Sequence, residues 1–316
     1  MTHTMAHQWQ AARFGGPEAL ELVTVDVPPP GPGQVTVDVR AASLNPADYK
    51  HIAPGQDPGL LPLSLGFEVA GLISAIGAGT EIASGGGGVG DEVIAAPISG
   101  GYATRLTIEA RDVFAKPSRL SFAEASGLVL VGSTAAELLH VTAVGPDDTV
   151  LLHGAAGAVG SSALQLALLT GARVIGTASE RSFDIVRRFG GQPVEYGAGL
   201  EQRVRKLAPD GITVAIDTVG ADEAVDVSLA LVADRNRIVT TAAFARAAAA
   251  GFRFVGARNP ASAPYRARIR PELIRLANAG RLAVPIGRTF PFAEAPAALG
   301  VLMGDHPAGK LALLTE

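Results

Sequence analysis

Three glycines at every third position could bring backbone amides close to a phosphate group. Gly154, Gly157 and Gly160 follow the apolar, β-branched run 149–152, and the helix-forming run 162–169 comes directly after them. Glycine lets the backbone approach a phosphate closely, and the N-terminus of a helix supplies a partial positive charge. The alternative is a tight turn that only packs a helix on a strand, and the glycine spacing alone does not decide between the two.

The chain has no cysteine and six histidines. Disulfides, thiolate zinc sites, iron–sulfur clusters and cysteine nucleophiles are therefore excluded. His3 and His7 have the i, i+4 spacing of a helical pair of metal ligands, but histidines in an exposed tail are usually just solvated. We therefore predict no metal site.

The composition is that of an ordinary globular chain, long enough for roughly two domains. Of its 316 residues, 48% are hydrophobic and 18% are charged, and the net charge is -4. This balance gives no electrostatic reason to expect binding to nucleic acid or to an anionic membrane. The N-terminus lacks the features of a signal peptide and no apolar run is long enough to span a membrane, so we expect a cytoplasmic location.

The elements that must position the glycine motif change in type near residue 121. Before this point, short runs alternate between apolar and polar residues, which is typical of strands in a small, partly closed barrel. Residues 41–50 are predicted to form a polar turn between a strand and a loop. The predicted strands are 20–27, 35–40, 69–77, 91–95 and 102–108.

From residue 121 onward, helical and strand patterns alternate. Ser121 and Glu124 form a capping box that begins the first helix. Such alternation predicts a parallel sheet with helices on both faces, and the glycine motif lies where a doubly wound sheet binds a dinucleotide. The context therefore favours cofactor binding. A later helix is predicted to begin at Pro271, and the alanine run 247–250 is predicted to be a loop or a helix end.

Several short motifs occur in an order that resembles a known family. They are Asn45-Pro46-Ala47-Asp48, Gly66-Phe67-Glu68-Val69-Ala70-Gly71, Gly90-Asp91-Glu92-Val93, Gly132-Ser133-Thr134-Ala135, the glycine motif, Asp217-Thr218-Val219-Gly220 and Gly309-Lys310. Their order is similar to that of the zinc-independent medium-chain dehydrogenase/reductases, the quinone oxidoreductase (zeta-crystallin-like) group. The resemblance implies an α/β protein. It implies a β-rich, GroES-like, partly open barrel domain at 1–120 and 285–316, and a Rossmann-type domain with a doubly wound parallel sheet at 121–284.

Zinc-dependent members of the same superfamily carry a ligand histidine where this chain has Phe67. Since the chain also lacks cysteine, neither the catalytic nor the structural zinc site of those proteins can be formed. The resemblance therefore implies hydride transfer from a nicotinamide cofactor to a quinone or to an α,β-unsaturated carbonyl compound. Two alternatives stay open: reduction of an enoyl thioester, and non-catalytic binding or sensing of NADPH.

The residues after the second strand of the parallel sheet favour NADPH over NADH. NAD-selective sites place a carboxylate at this point, against the ribose hydroxyls. Here Ser179 takes the position and Arg181 follows closely, which suits a 2′-phosphate. Glu180 would serve NADH if the register differed by one residue, and Arg181 has the alternative of being an exposed residue in the first helical turn. By resemblance, Tyr196 flanks the phosphate of the adenosine.

The other predicted cofactor contacts come from the motif and from the resemblance. The motif supplies Gly154, Ala155, Ala156, Gly157, Ala158, Val159 and Gly160, with Thr177 at the end of the second strand. The resemblance adds Thr134 near the nicotinamide, Thr218, Thr241 and Ala242 at strand ends, and Ala257 in the loop after the last strand. Thr134 has the alternative of simply capping a helix.

The segment 45–50 carries the candidates for the substrate side. The amide of Asn45 could orient a substrate carbonyl or the nicotinamide ribose, or could simply hold its own turn before the next proline. Asp48, Tyr49 and Lys50 are candidates for proton relay or orientation. Some family members have a tyrosine where Lys50 stands, so the proton could come from Tyr49 or from solvent. The expected partners are a small-molecule substrate and, by resemblance, a second copy in a homodimer formed at the edge strand 252–255.

Overall fold

The computed structural model describes residues 4–256, 259–304 and 307–315. The chain divides into two compact units. The first unit comprises Met1–Leu130 and Ala283–Glu316, and the second comprises Val131–Leu282. The assignment of 1–120 with 285–316 and of 121–284 to a barrel domain and a cofactor domain stays a prediction.

The first unit is built on two sheets. Its strands are β1 (Thr4–Ala11), β2 (Leu20–Val27), β3 (Gln34–Ser43), β4 (Leu63–Ser64), β5 (Val69–Ile76), β6 (Glu92–Ala95), β7 (Arg105–Glu109), β8 (Val113–Ala115), β15 (Ile286–Pro291) and β16 (Lys310–Leu314). One sheet has the order β2-β1-β4, and the other has the order β15-β16-β3-β5-β6-β8 with β7 also paired to β3. Every pairing is antiparallel except that of β15 with β16. The alternating apolar residues of these strands form one buried core.

Short helices close the ends of these strands. They are α1 (Pro46–His51), α2 (Phe122–Ser126) and α10 (Ala295–Met303), while α3 (Leu128–Val141) follows α2 directly. Asn45 is the N-cap of α1 and Pro46 takes its first position, so the chain turns sharply at the end of β3. The predicted polar turn at 41–50 is therefore the end of a strand and a short helix. The predicted capping box of Ser121 and Glu124 is confirmed at the start of α2.

The second unit is a six-stranded sheet in which all pairings are parallel. Its strands are β9 (Thr149–His153), β10 (Arg173–Ala178), β11 (Gln192–Glu195), β12 (Val214–Asp217), β13 (Ile238–Thr240) and β14 (Arg253–Phe254). Its helices besides α3 are α4 (Ala158–Leu169), α5 (Phe183–Arg188), α6 (Leu200–Leu207), α7 (Asp222–Leu231), α8 (Phe244–Ala250) and α9 (Ser262–Asn278). The strand order is β11-β10-β9-β12-β13-β14, so the order reverses between β9 and β12. This arrangement confirms the predicted doubly wound parallel sheet.

The predicted start of one helix was wrong. Pro271 lies inside α9, which begins at Ser262 rather than at the proline. The earlier half of this helix is held by contacts with α3, because Tyr265 donates to the carbonyl of Ala136 and Arg266 pairs with Glu137. These contacts outweigh the backbone hydrogen bond that a proline inside a helix gives up.

The alanine run 247–250 forms the last four residues of α8, so the predicted helix end is confirmed and the alternative of a loop is wrong. Alanine has the highest intrinsic helix propensity, and this explains why the run is helical rather than a loop. Among the described residues, none of the helices has the length and apolarity needed to cross a membrane.

Candidate functional site

The glycine motif forms a turn between β9 and α4. Gly154 has a φ of 77°, a conformation that favours glycine. A Cβ at position 160 would lie 2.0 Å from the carbonyl oxygen of Gly154, so the helix can approach the turn this closely only with glycine there. Gly157 is the N-cap residue of α4.

The space at Gly157 fits an anionic group. Among the described residues, a Cβ built there would have one atom within 4 Å, the Gly154 carbonyl oxygen at 3.3 Å. The amides of Ala158, Val159 and Gly160 are at the first positions of α4, where no carbonyl of the same helix can accept them. Backbone donors and the positive end of the helix dipole thus face an opening, and a pyrophosphate fits this cradle.

Thr177 holds the turn in this shape. Its hydroxyl accepts from the amide of Gly154 at 3.1 Å, and its carbonyl accepts from the amide of Ala155 at 3.0 Å. Thr177, Ala155 and Ala156 are all buried. The structure therefore gives these residues a role in shaping the motif, while direct contact with a cofactor stays a prediction.

The loop after β12 lies against the glycine turn. A Cβ at Gly154 would be 2.6 Å from the hydroxyl of Thr218, and that hydroxyl donates to the carbonyl of His153 at 2.7 Å. The ring of His153 is buried and lies 3.1 Å from the hydroxyl of Ser228. Burial lowers the pKa of His153 to about 4, so the ring is neutral near pH 7.

Ser179, Arg181 and Tyr196 stand at one edge of the parallel sheet. Ala178 pairs with Glu195 at the ends of β10 and β11. Ser179 follows β10 directly, and Tyr196 follows β11 directly. Ser179 lies 3.1 Å, hydroxyl to hydroxyl, from Ser182. Arg181 and Tyr196 are exposed. The structure thus brings the three residues predicted around the adenosine to the carboxyl ends of neighbouring strands.

The remaining cofactor candidates differ in their position and burial. Thr241 and Ala242 follow β13, and both are half-buried. Thr134 is half-buried in the middle of α3, so the alternative of a helix cap is wrong for it. Ala257 lies outside the described residues.

The first unit buries a cluster of polar groups around Asn45. The amide nitrogen of Asn45 donates to Glu68 at 3.1 Å, and the ammonium of Lys310 donates to the amide oxygen of Asn45. Lys310 also pairs with Glu68 at 3.0 Å, and Glu68 accepts from the backbone amide of Leu130 at 3.1 Å. Within the described part of the chain, Asn45 thus donates one of its two Nδ2 hydrogens, to Glu68.

Asp48 belongs to the same buried cluster and is itself fully buried. Its Oδ2 accepts from the backbone amide of Asn45 at 2.7 Å and from the hydroxyl of Tyr102 at 2.9 Å. Its Oδ1 has no hydrogen-bond partner among the described residues. Burial raises the pKa of Asp48 to about 7, although the two hydrogen bonds oppose this rise. Burial, reinforced by Asp48, also raises the pKa of Tyr102.

The other candidates on α1 do not join this cluster. Tyr49 is half-buried and packs against the apolar core of the first unit. Lys50 is exposed. Phe67 stands edge-on to the ring of His51, with 5.8 Å between ring centroids. Within the part of the chain that the structure describes, no group of three or more His, Asp or Glu residues could hold a metal ion.

Three further residues of the cluster, Glu68, Tyr102 and Lys310, had no predicted role. Glu68 lies in the motif Gly66–Gly71 and Lys310 in Gly309-Lys310, and these motifs are the sequence signal that could have placed both residues in the site. Tyr102 carries no such signal. Its hydroxyl reaches Asp48 only because the chain folds back to pair Tyr102 with Leu65 through the backbone.

Two family models match the chain. Residues 31–146 match the alcohol dehydrogenase GroES-like domain, and residues 158–260 match the zinc-binding dehydrogenase domain. The predicted GroES-like domain is confirmed by the first match.

Similar proteins of known sequence include two mammalian ones. The synaptic vesicle membrane protein VAT-1 homolog of Rattus norvegicus is 33% identical over 223 residues, which is 66% of this chain and 53% of that protein. The quinone oxidoreductase of Sus scrofa is 35% identical over 187 residues, which is 58% of this chain and 56% of that protein. The chain thus matches only about half the length of these relatives.

Solved structures match over nearly the whole chain. An NAD-dependent alcohol dehydrogenase is 28% identical with a TM-score of 0.85, covering 98% of this chain and 100% of that one. The CurK enoyl reductase is 25% identical with a TM-score of 0.84, covering 98% and 99%. A mycobacterial protein complexed with NADPH is 29% identical with a TM-score of 0.80, covering 98% and 99%.

Proposed function

Because the chain belongs to the zinc-independent quinone oxidoreductase family of the medium-chain dehydrogenase/reductases, we propose that it is an NADPH-dependent reductase of quinones or α,β-unsaturated carbonyl compounds. The observation that carries this proposal is the open glycine turn beside the point where the strand order reverses. A dinucleotide bound at such a point places its pyrophosphate against the helix N-terminus.

We favour NADPH over NADH on the residues around the adenosine end. Ser179 and the exposed Arg181 suit a 2′-phosphate, since a guanidinium binds a phosphate with parallel hydrogen bonds. The similarity to a mycobacterial protein complexed with NADPH supports this choice. The exposed Glu180 and the similarity to an NAD-dependent alcohol dehydrogenase are the arguments for NADH.

The bound nicotinamide would supply the hydride, and the chain would orient the acceptor. The second Nδ2 hydrogen of Asn45 is the donor that we assign to a substrate carbonyl oxygen, where negative charge develops during reduction. Glu68 and Lys310 fix the orientation of this amide. Hydride would reach the β-carbon of an enone while a proton reaches its α-carbon. This polarisation relies on hydrogen bonds, because Phe67 and the lack of cysteine leave no zinc ligand set of the family type.

For the proton, we favour Tyr49 or solvent over Asp48. Asp48 is fully buried and already accepts from Asn45 and Tyr102, so its position suits orientation of α1. Tyr49 is only half-buried and Lys50 is exposed.

The test is oxidation of NADPH and of NADH by the purified protein with a panel of quinones and enones, including para-benzoquinone and cyclohexenone. We expect turnover with NADPH and a lower kcat/KM with NADH. If the protein binds neither nucleotide, or oxidises neither of them with any acceptor of the panel, the proposal is refuted.

The alternatives give different results in the same assay. An enoyl-thioester reductase, a reading supported by the similarity to CurK enoyl reductase, would turn over crotonyl thioesters and leave quinones unreduced. A non-catalytic protein would bind NADPH without turnover of any acceptor. Formation of a homodimer at the edge strand β14 is part of the proposal, and sedimentation equilibrium tests it.

A further inference from the structure

The carboxylate of Asp217 lies buried at the end of β12 and accepts three hydrogen bonds. Its Oδ1 accepts from the backbone amides of Val219 and Gly220, each at 2.9 Å. Its Oδ2 accepts from the hydroxyl of Thr240 at 2.7 Å. The loop that follows β12 is therefore fixed by the last residue of the strand.

Thr240 repeats this arrangement at the end of β13. Its side chain is buried, and its oxygen accepts from the amides of Ala242 and Ala243, each at 2.9 Å. The hydroxyl hydrogen of Thr240 is donated to Asp217, and the two lone pairs of the oxygen accept from the two amides. The hydroxyl group therefore has no further hydrogen-bonding capacity. One buried pair of side chains thus connects four amides of two loops.

The two loops also touch each other and the glycine turn. Thr241 donates its amide to the carbonyl of Asp217 at 3.0 Å. Gly220 has a φ of 83°, and a Cβ there would lie 2.8 Å from the Cβ of Ala242. The glycine turn packs against the first of these loops at Gly154, where an added Cβ would lie 2.6 Å from the hydroxyl of Thr218.

We propose that Asp217 and Thr240 are positioning residues, which hold the loops 218–220 and 241–243 in the cofactor-binding conformation before the cofactor arrives. The inference rests on the proposed function, since Thr218, Thr241 and Ala242 are the predicted contacts on these loops. A preformed loop does not lose conformational entropy on binding, so this pre-organisation raises affinity. A purely structural role would instead stabilise the fold and leave the affinity of folded molecules unchanged.

The experiment compares Thr240→Val with Thr240→Ser and Thr142→Val. Valine keeps the shape of threonine, but it removes the donor to the Oδ2 of Asp217 and the acceptor of the Ala242 and Ala243 amides. Serine keeps the hydroxyl. Thr142 is the matched control, because it is also buried in the second unit and its hydroxyl donates to carbonyls near the end of α3, away from the two loops.

Two readouts separate positioning from stability. In fluorescence titration, we expect the Kd for NADPH to rise about tenfold in Thr240→Val and to stay within about twofold of wild type in Thr240→Ser and Thr142→Val. In the nucleotide-free protein, we expect faster amide hydrogen exchange at Val219, Gly220, Ala242 and Ala243 in Thr240→Val alone. The fraction of folded protein, measured by circular dichroism, corrects each Kd.

The results that overturn the inference are distinct from those that overturn the function. A folded Thr240→Val protein with wild-type affinity and wild-type exchange would overturn the inference and leave the function intact. A wild-type protein that binds neither NADPH nor NADH would overturn both. If Thr240→Val does not fold, Asp217→Asn is measured instead, because its amide would face the saturated oxygen of Thr240; unchanged affinity there would equally refute the inference.

Discussion

Lys310 donates to the side-chain oxygen of Asn45 across a sequence separation of 265 residues. The same ammonium pairs with Glu68, and the side chains of both charged residues are at most 3% exposed. The last strand of the chain thereby holds the N-cap of α1, where the predicted substrate-side residues begin. A buried pair of this kind is costly to break, because the remaining charge stays out of water.

Lys310→Met should therefore destabilise the protein strongly. We expect a loss of about 3–5 kcal/mol in the free energy of unfolding, since Glu68 would be left buried and unpaired. Adding Glu68→Gln should recover part of this loss by removing the charge while keeping an acceptor for the Leu130 amide. Urea denaturation measures the difference. The control is Arg205→Met, which breaks the exposed pair with Glu201 and should cost less than about 1 kcal/mol. Equal losses in both variants would contradict the prediction.

Stability should fall as the pH rises through the pKa of Asp48. Burial raises this pKa to about 7 in the folded protein, whereas an unfolded aspartate has a pKa near 3.9. Between these values Asp48 holds a proton in the folded state that it lacks in the unfolded state. The contribution of this proton to the free energy of unfolding is therefore complete below the unfolded pKa and is lost as the pH rises toward 7. Urea unfolding at a series of pH values should show this decline in the wild type relative to Asp48→Asn.

Tyr102→Phe sharpens the same test. The hydroxyl of Tyr102 favours the charged form of Asp48, so its removal should raise the pKa of Asp48 further. The decline in stability should then extend to higher pH. If wild type and Asp48→Asn show parallel pH profiles, Asp48 is ionised throughout the range and the prediction is wrong.

The glycines of the motif should respond to alanine in different ways. At Gly160 the new Cβ would collide with the Gly154 carbonyl, so Gly160→Ala should lower the melting temperature. At Gly157 the φ is -71°, and a new Cβ would lie 3.3 Å from the Gly154 carbonyl oxygen, a tight contact that a shift of a few tenths of an ångström relieves, so Gly157→Ala should still fold. Its methyl group would occupy the cradle and raise the Kd for NADPH about tenfold or more.

Gly300→Ala provides the control for these two variants. Position 300 lies inside α10, and no atom of the described residues lies within 4 Å of a new Cβ. The change should therefore stabilise the protein by about 0.5–1 kcal/mol and leave NADPH affinity unchanged. Thermal melts and fluorescence titration on the same samples provide both measurements. Normal NADPH affinity in Gly157→Ala would show that the cradle does not hold the pyrophosphate.

The parallel sheet could be predicted from the sequence because its signals are local. Each strand is a short apolar run, and each glycine of the motif marks a backbone requirement within a few residues. The strand β1 was missed, and the segment containing His7 was treated as a tail. Its strand character depends on pairing with β2, where Trp9 is opposite Leu22. The sequence of the segment itself does not indicate this pairing.

The polar cluster was predictable only in part, for a similar reason. Asn45 and Asp48 lie three residues apart, and their helix cap is a local pattern. Lys310 and Tyr102 reach them through the pairing of distant strands. Pro271 shows the opposite failure, because a reliable local signal for a helix start was overridden by the contacts between α9 and α3.

Replacing Arg181 should test the choice of nucleotide. If its guanidinium binds the 2′-phosphate, Arg181→Ala should raise the Kd for NADPH about tenfold and leave the Kd for NADH within about twofold, because NADH lacks that phosphate. Higher salt should weaken NADPH binding more in the wild type than in the variant, since the interaction is exposed and electrostatic. Glu180→Gln is the companion variant. A selective loss of NADH affinity in Glu180→Gln, with no change in Arg181→Ala, would show that the register differs by one residue and that NADH is the cofactor.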